Sequence, residues 1–158
     1  RDIFLPAASF GLTTGVPELA SSYVNTFYSL GWQLDAAATE GVSTAFLGPA
    51  DWASGTLTYK IYFFMASATS GNARMQVRAR ALQTGEGVDA TPEFDQSDDI
   101  AVPGTAELLK VHTVTTTHTV AAGDMVEITV ERRGDLAGDT AAGDLSLMGI
   151  EVEYTADS

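Results

Sequence analysis

His112 and His118 are the chain's two histidines, and imidazole is the side chain best suited to move protons or bind a transition metal near neutral pH. Both fall in a Thr- and Val-rich run, Glu107 to Val120, whose composition favours a strand. Strand geometry would hold them about 20 Å apart, too far to share one metal ion, so they read as independent polar positions. No serine sits in a Gly-x-Ser-x-Gly setting, so a hydrolytic triad has no nucleophile elbow to start from. There is no cysteine, which removes disulfides, thiolate metal sites and cysteine nucleophiles. Acidic side chains are abundant enough to supply the two carboxylates of a glycosidase. Most of them, however, sit in turns or alternate outward along strands, where a solvated surface is the plain reading. The chain is therefore read as a non-enzyme.

Binding chemistry has more to work with. Asp89, Glu93, Asp95, Asp98 and Asp99 crowd one acidic segment, and Asp135, Asp139 and Asp144 another. Calcium prefers clustered oxygen ligands, although neither segment has EF-hand spacing. No cofactor is expected, with calcium the one candidate ion. Arg74, Arg78 and Arg80 form a basic stripe on one strand face. Two readings stay open for it: pairing with acids on neighbouring strands, or a subunit contact, where Arg is enriched. Trp52 sits in a turn, Pro49-Ala50-Asp51-Trp52, where burial is not automatic, and is the candidate ligand-stacking residue. Arg133-Gly134-Asp135 spells an integrin-binding tripeptide, but Gly and Asp belong in a turn anyway, so it reads as accidental.

The elements that must position these residues are strands. Period-two alternation marks a strand with one face in a core and one in water. Val126, Ile128 and Val130 alternate with Glu127, Thr129 and Glu131, and Met148, Ile150, Val152 and Tyr154 with Gly149, Glu151, Glu153 and Thr155. A Gly/Asp-rich loop joins these two runs. The apolar phase slips at Gly149, which predicts a β-bulge. Leu57, Tyr59, Ile61, Phe63 and Met65 share one face of the strongest strand. Its other face carries Tyr62 and Phe64, so it is apolar on both sides, as in a central strand or one against a partner. Met75, Val77, Ala79 and Ala81 alternate with the arginines. Residues 84–106 read as a long acidic loop, which in a compact domain is usually functional or mobile. Val16 to Asn25 is the one weak helix candidate. Seven or eight strands with turns between them predict an all-β antiparallel sandwich of jelly-roll type. Residues 1–25 read as an extended N-terminal arm and 26–158 as a single sandwich domain.

With 158 residues the chain can bury a full core, and an apolar share of 45% is globular. Its longest apolar run, Ile61 to Ala66, is strand-sized, far from the roughly 20 residues of a membrane-spanning helix, so no membrane partner is expected. The net charge of −13 argues against phosphate-directed nucleic-acid binding, which needs a basic face.

Three segments resemble small jelly-roll virion proteins of tailed bacteriophages. They are Trp32-Gln33-Leu34-Asp35 with Glu40-Gly41-Val42 and Pro49-Ala50-Asp51-Trp52; Leu57 to Phe63 leading to Ala66-Ser67-Ala68-Thr69-Ser70-Gly71; and Arg132 to Thr140 ending in Gly149 to Tyr154. The resemblance implies a structural protein of the particle surface with no catalytic residues: a capsid decoration, head-fibre or tail-attachment protein. Its partners would be itself, as a homotrimer, and the major capsid protein or another virion protein. The contact residues expected are Ile3, Phe4 and Leu5 in the arm, Tyr62 and Phe64 on the second strand face, and then Arg74, Arg78 and Arg80. The alternative is a carbohydrate- or receptor-binding module of a tail fibre, with Trp52 and the loop 84–106 forming the site.

Overall fold

Leu57, Tyr59, Ile61, Phe63 and Met65 are all fully buried, and the sheet around them follows from that stripe. The computed structural model describes residues 1–24, 27–53, 55–89 and 91–157. Among these the chain forms eleven strands and one 3-10 turn, Ala7–Ser9. In one sheet, β3 (Glu18–Val24), β4 (Phe27–Leu34), β11 (Leu145–Glu153), β6 (Thr58–Met65) and β9 (Lys110–Thr115) run side by side, and β1 (Asp2–Pro6) makes a sixth strand by adding to β11. The other is five-stranded: β2 (Gly11–Thr14), β5 (Thr39–Leu47), β10 (Met125–Arg133), β7 (Asn72–Leu82) and β8 (Phe94–Ala101). Every strand pair is antiparallel. The inner faces meet in one core, to which Val126, Ile128 and Val130 contribute opposite Ala81, Ala79 and Val77. Burying a Val- to Phe-sized side chain stabilises by roughly 2 kcal/mol each.

The bulge expected at Gly149 is present: the β11–β6 register shifts between Leu147 and Gly149. It has a topological use. Before the shift β11 pairs with β4 through Leu145 to Leu147, and after it with β1 through Gly149 to Glu153. One edge of β11 thus serves two strands in turn.

The first residues do not form a free arm. Their backbone finds its partners inside the chain, with β1 on β11, β2 on β5 and β3 on β4. These three, with β8 below, are why eleven strands replace the seven or eight expected. The alternation that places these strands is obscured by short length and by Gly, Pro and Ser. The weak helix candidate is β3, held as a strand by its pairing with β4. The expected boundary at Asn25 and Thr26 lies outside the described residues. The acidic segment 84–106 is not one loop, because β8 runs through it. Asp95 faces Arg78 and Asp99 faces Arg74 across the β7–β8 pair, and opposite charges in register favour strand pairing there.

The Gly/Asp loop between β10 and β11 crosses from one sheet to the other. Its centre is Arg132, fully buried, whose guanidinium forks onto Asp139 (2.8 and 2.9 Å). The remaining donors reach the carbonyls of Leu34, Gly143 and Ala141 at 3.2, 2.7 and 2.7 Å. The loop is also sewn to the start of β7, where the amides of Thr140 and Ala141 donate to the Asn72 carbonyl. Gly71 precedes that point at φ +92°, and a Cβ there would lie 2.6 Å from the Thr140 carbonyl oxygen. Both the dihedral and the space therefore require glycine.

Candidate functional site

The outer face of the five-stranded sheet carries an open groove of about 390 Å³. Strand parity builds its floor. Because Ala79, Ala81, Val126, Ile128 and Val130 point into the core, Arg78, Arg80, Glu127, Thr129 and Glu131 must point out. Register then sets Arg80 beside Glu127 and Arg78 beside Thr129. Arg80 Nε donates to Glu127 Oε2 at 2.6 Å, and Arg78 bonds Glu131. Glu131, only 3% exposed, also accepts from the Thr14 hydroxyl at 2.7 Å.

Thr13 forms one wall, and Val88, Asp89 and Pro92 form the other. The second wall is anchored at several points. Arg80 donates to the Val88 carbonyl, the Glu93 carboxylate accepts from the Ala81 amide at 3.0 Å, and the Glu86 carboxylate accepts from the Gln83 amide at 2.7 Å. The result is a trough of guanidinium, carboxylate and hydroxyl groups with apolar rims. It can hydrogen-bond a polyhydroxylated ligand. The Glu127 carboxylate is taken up by Arg80.

The sequence picks out Arg78 and Arg80 but not Glu127 and Thr129, which complete the groove floor, Glu131, buried against Arg78, or Thr13 on the wall. The signal for the first three is present in the alternation of 126–131. Only the strand order, unknown beforehand, puts that face against the arginines. Of the two readings of the arginine stripe, pairing within the chain is the one observed: Arg74 meets Asp99 at 3.0 Å, Arg78 meets Glu131 and Arg80 meets Glu127.

The other expected contact residues separate. Leu5 and Phe64 are buried within the chain itself and are not free to touch a partner. Ile3 packs half-buried against the core. Phe4 is 55% exposed and meets Tyr62 edge-on, ring centroids 5.9 Å apart, on the outer face of the six-stranded sheet. The Tyr62 hydroxyl donates to Glu151 at 2.6 Å. This bond, with Lys60 beside it, holds the Glu151 carboxyl below its ordinary range. The same bond and burial raise the Tyr62 hydroxyl, against the opposing charge of Lys60. Trp52 is not a platform. It is 6% exposed, stacks on Tyr154 at 5.5 Å and 19°, and bridges to Ala156. The C-terminal segment, which its turn alone does not reveal, covers it.

The two acidic segments expected to gather calcium ligands do not gather. Asp95 bonds Gln76 and Asp98 bonds His112, at 2.6 and 2.8 Å. Asp139 serves Arg132, while Asp135 accepts from Thr39, which lowers its pKa. Among the described residues the one group of acids close enough to share an ion is Asp2, Glu151 and Glu153, where the Lys60 ammonium already bonds both glutamates. The histidines have separate surroundings, but not because one strand spaces them: the run expected as a single strand ends at Thr115, so His112 lies on β9 and His118 beyond it. His112 is paired, and His118 lies buried against Phe94 with both ring nitrogens unpartnered. The Arg133-Gly134-Asp135 tripeptide is engaged internally, with Arg133 Nη1 donating to the Gln76 side-chain Oε1 and the Gly134 amide donating to the Ala38 carbonyl.

No protein-family model matches the chain, and no curated protein matches it. Solved structures do. A family 6 carbohydrate-binding module from Cellvibrio mixtus lichenase 5A, in complex with cellotriose, aligns with TM-score 0.60 at 14% identity over 97% of each chain. The family 35 module of Cellvibrio japonicus Abf62 aligns with TM-score 0.58 at 12% identity over 100% of this chain and 97% of that one. A family 35 module from Clostridium thermocellum gives 0.55 at 12% over 98% and 99%. Nothing in these likenesses shows a virion protein. At such identities they establish the fold: this chain is a β-sandwich of the jelly-roll type found in carbohydrate-binding modules.

Proposed function

We propose that this chain is a non-catalytic carbohydrate-binding module that takes a glycan along the outer face of its five-stranded sheet. The observation that carries the reading is the groove: a row of Arg, Glu and Thr side chains on a strand floor, walled by Thr13 and by Val88, Asp89 and Pro92. Sugars present dense hydroxyl arrays, and sites for them are built from a few placed polar groups on a pre-formed surface. The likeness to modules that are whole, independent binding units of similar length supports the reading. The alternative expected from the sequence, glycan or receptor binding at Trp52 and the loop 84–106, is thereby preferred over particle decoration; its site keeps Val88, Asp89 and Pro92 of that loop and exchanges Trp52 for the sheet face.

The experiment is affinity electrophoresis of the chain through gels holding soluble polysaccharides, with Thr129→Trp as the blocking variant. Thr129 is half-exposed at the centre of the floor, so an indole there fills the groove without entering the core. Retardation by a glycan that disappears in Thr129→Trp, with an unchanged melting temperature, is the expected result. A chain that no glycan retards, or a variant retarded as strongly as the parent, would overturn the assignment.

A further inference from the structure

We infer that the groove selects uncharged glycans and rejects uronates and sulfated sugars; this rests on the carbohydrate-binding reading above. The argument is one of charge placement. A site for an anionic sugar needs a guanidinium or ammonium with free donors, because the planar fork of Arg matches a carboxylate two bonds at a time. Here both floor guanidiniums are already matched to carboxylates of the neighbouring strand, Arg80 to Glu127 and Arg78 to Glu131. Asp89 adds a third carboxylate at the wall. Three carboxylates thus stand against two guanidiniums: Glu127 and Asp89 line the groove, and Glu131 is buried against Arg78. The whole chain carries −13 besides, which slows the approach of a polyanion at low ionic strength.

An anionic sugar would therefore have to displace a protein carboxylate to reach a cation, and would leave that carboxylate unpaired. A neutral sugar meets no such conflict. Its hydroxyls can donate to the outer lone pairs of Glu127 and Asp89 and accept from the Thr13 and Thr129 hydroxyls, which also line the groove. In this assignment Glu127 and Asp89 are specificity residues: their charge excludes the anion, while their oxygens remain useful to a hydroxyl.

The test uses the full chain and two variants, Glu127→Gln and Asp89→Asn/Glu127→Gln. Each keeps the side-chain shape and removes charge. Their migration is compared in gels holding neutral polysaccharides (xylan, a mixed-linkage β-glucan, dextran) or polygalacturonate, at about 0.1 M and about 1 M salt, where the screening length falls from ~10 to ~3 Å. The parent is expected to bind a neutral glycan equally at both salts and to ignore polygalacturonate. The double variant is expected to gain affinity for polygalacturonate by about fivefold, the scale of one exposed charge interaction, with the gain lost at high salt. Preference of the parent for polygalacturonate would overturn this inference and leave the carbohydrate-binding reading standing. So would a double variant with the parent's melting temperature and no gain. Binding of no glycan by the parent would end both.

Discussion

Glu131 and Arg132 are neighbours on β10, and each belongs to an arginine–carboxylate pair. Glu131 points outward to Arg78, whose side chain is 32% exposed, and Arg132 points inward to Asp139, where the two side chains are 0% and 1% exposed. The chemistry is the same and the consequences are opposite. A charge pair without water is tolerated only when its hydrogen-bonding capacity is filled, and the three backbone carbonyls on Arg132 do that. Every one of those bonds fixes the loop that carries the chain between sheets. In the outer pair Glu131 is buried but Arg78 keeps contact with water, so its guanidinium can exchange solvent for a ligand's hydroxyls. A step of one residue along a strand thus separates a fastening of the fold from the floor of a binding groove.

The sharpest way to break this comparison is to remove both inner and outer partners singly. Arg132→Ala leaves Asp139 buried and uncompensated and orphans three carbonyls, and is expected to cost about 3–5 kcal/mol, roughly 10 °C in melting temperature for a domain of this length. Asp139→Ala should cost a comparable amount. The double variant should cost less than the sum, because the second change removes the charge that the first left stranded. Additive losses would mean that the two groups do not act as a unit. Next in size is Trp52→Ala. Truncation of a buried, stacked indole is expected to cost about 3 kcal/mol while leaving groove binding intact below the unfolding range. Loss of glycan binding without loss of stability would restore Trp52 as a ligand residue.

His118 sharpens the comparison from another side, since it is buried like Arg132 but has no partner. Burial lowers its pKa from the ordinary 6.5, against the opposing field of Glu93. In the unfolded chain the imidazole takes a proton near pH 6.5, whereas in the folded chain it resists. The unfolded state therefore binds more protons as pH falls below 6.5, and stability falls with it. Above that pH both states are neutral and the contribution is flat. The expected outcome is a melting temperature that declines from pH 7 to about pH 5, before most carboxylates titrate, and a shallower decline in His118→Leu. An identical slope in the variant would show that another group is responsible.

How much of this was legible beforehand divides along the same inward and outward line. The core strands were readable because β6, β7, β10 and β11 each alternate over three or more apolar positions, and Gly149 marked its own bulge by breaking the phase. The edge strands β1, β2 and β3 were not. They are short and rich in Gly, Pro and Ser, and their strand character comes from pairing with distant segments. Glu151 to Phe4 and Val42 to Leu12 are such partners, and no local window contains them. The same limit hid the site. Arg78 and Arg80 could be seen as a stripe, but whether acids, a subunit or a ligand faced them depended on β10 lying next to β7. Trp52 failed for the complementary reason: its turn is exposed by composition and buried by Tyr154, a hundred residues on.

The smallest expected change in stability is the one that most directly tests the role of the outer pairs. Arg80→Ala removes the partner of Glu127 and the donor to the Val88 carbonyl. As a pair in contact with water, Arg80 and Glu127 contribute at most about 1 kcal/mol, and the core face of β7 is untouched, so the melting temperature should move by only a few degrees. Binding should respond far more. The floor loses a donor, Glu127 loses its neutralising partner, and the wall at Val88 loses an anchor, all in the groove and none in the core. A glycan retarding the parent should therefore retard Arg80→Ala weakly or not at all. Glu127→Gln, which keeps the hydrogen bond to Arg80, should retain most of the neutral-glycan affinity. The reverse pattern, a large loss of stability with binding preserved, would place the outer pair in the same class as Arg132 and Asp139. It would remove the distinction between fastening and floor on which the binding site rests.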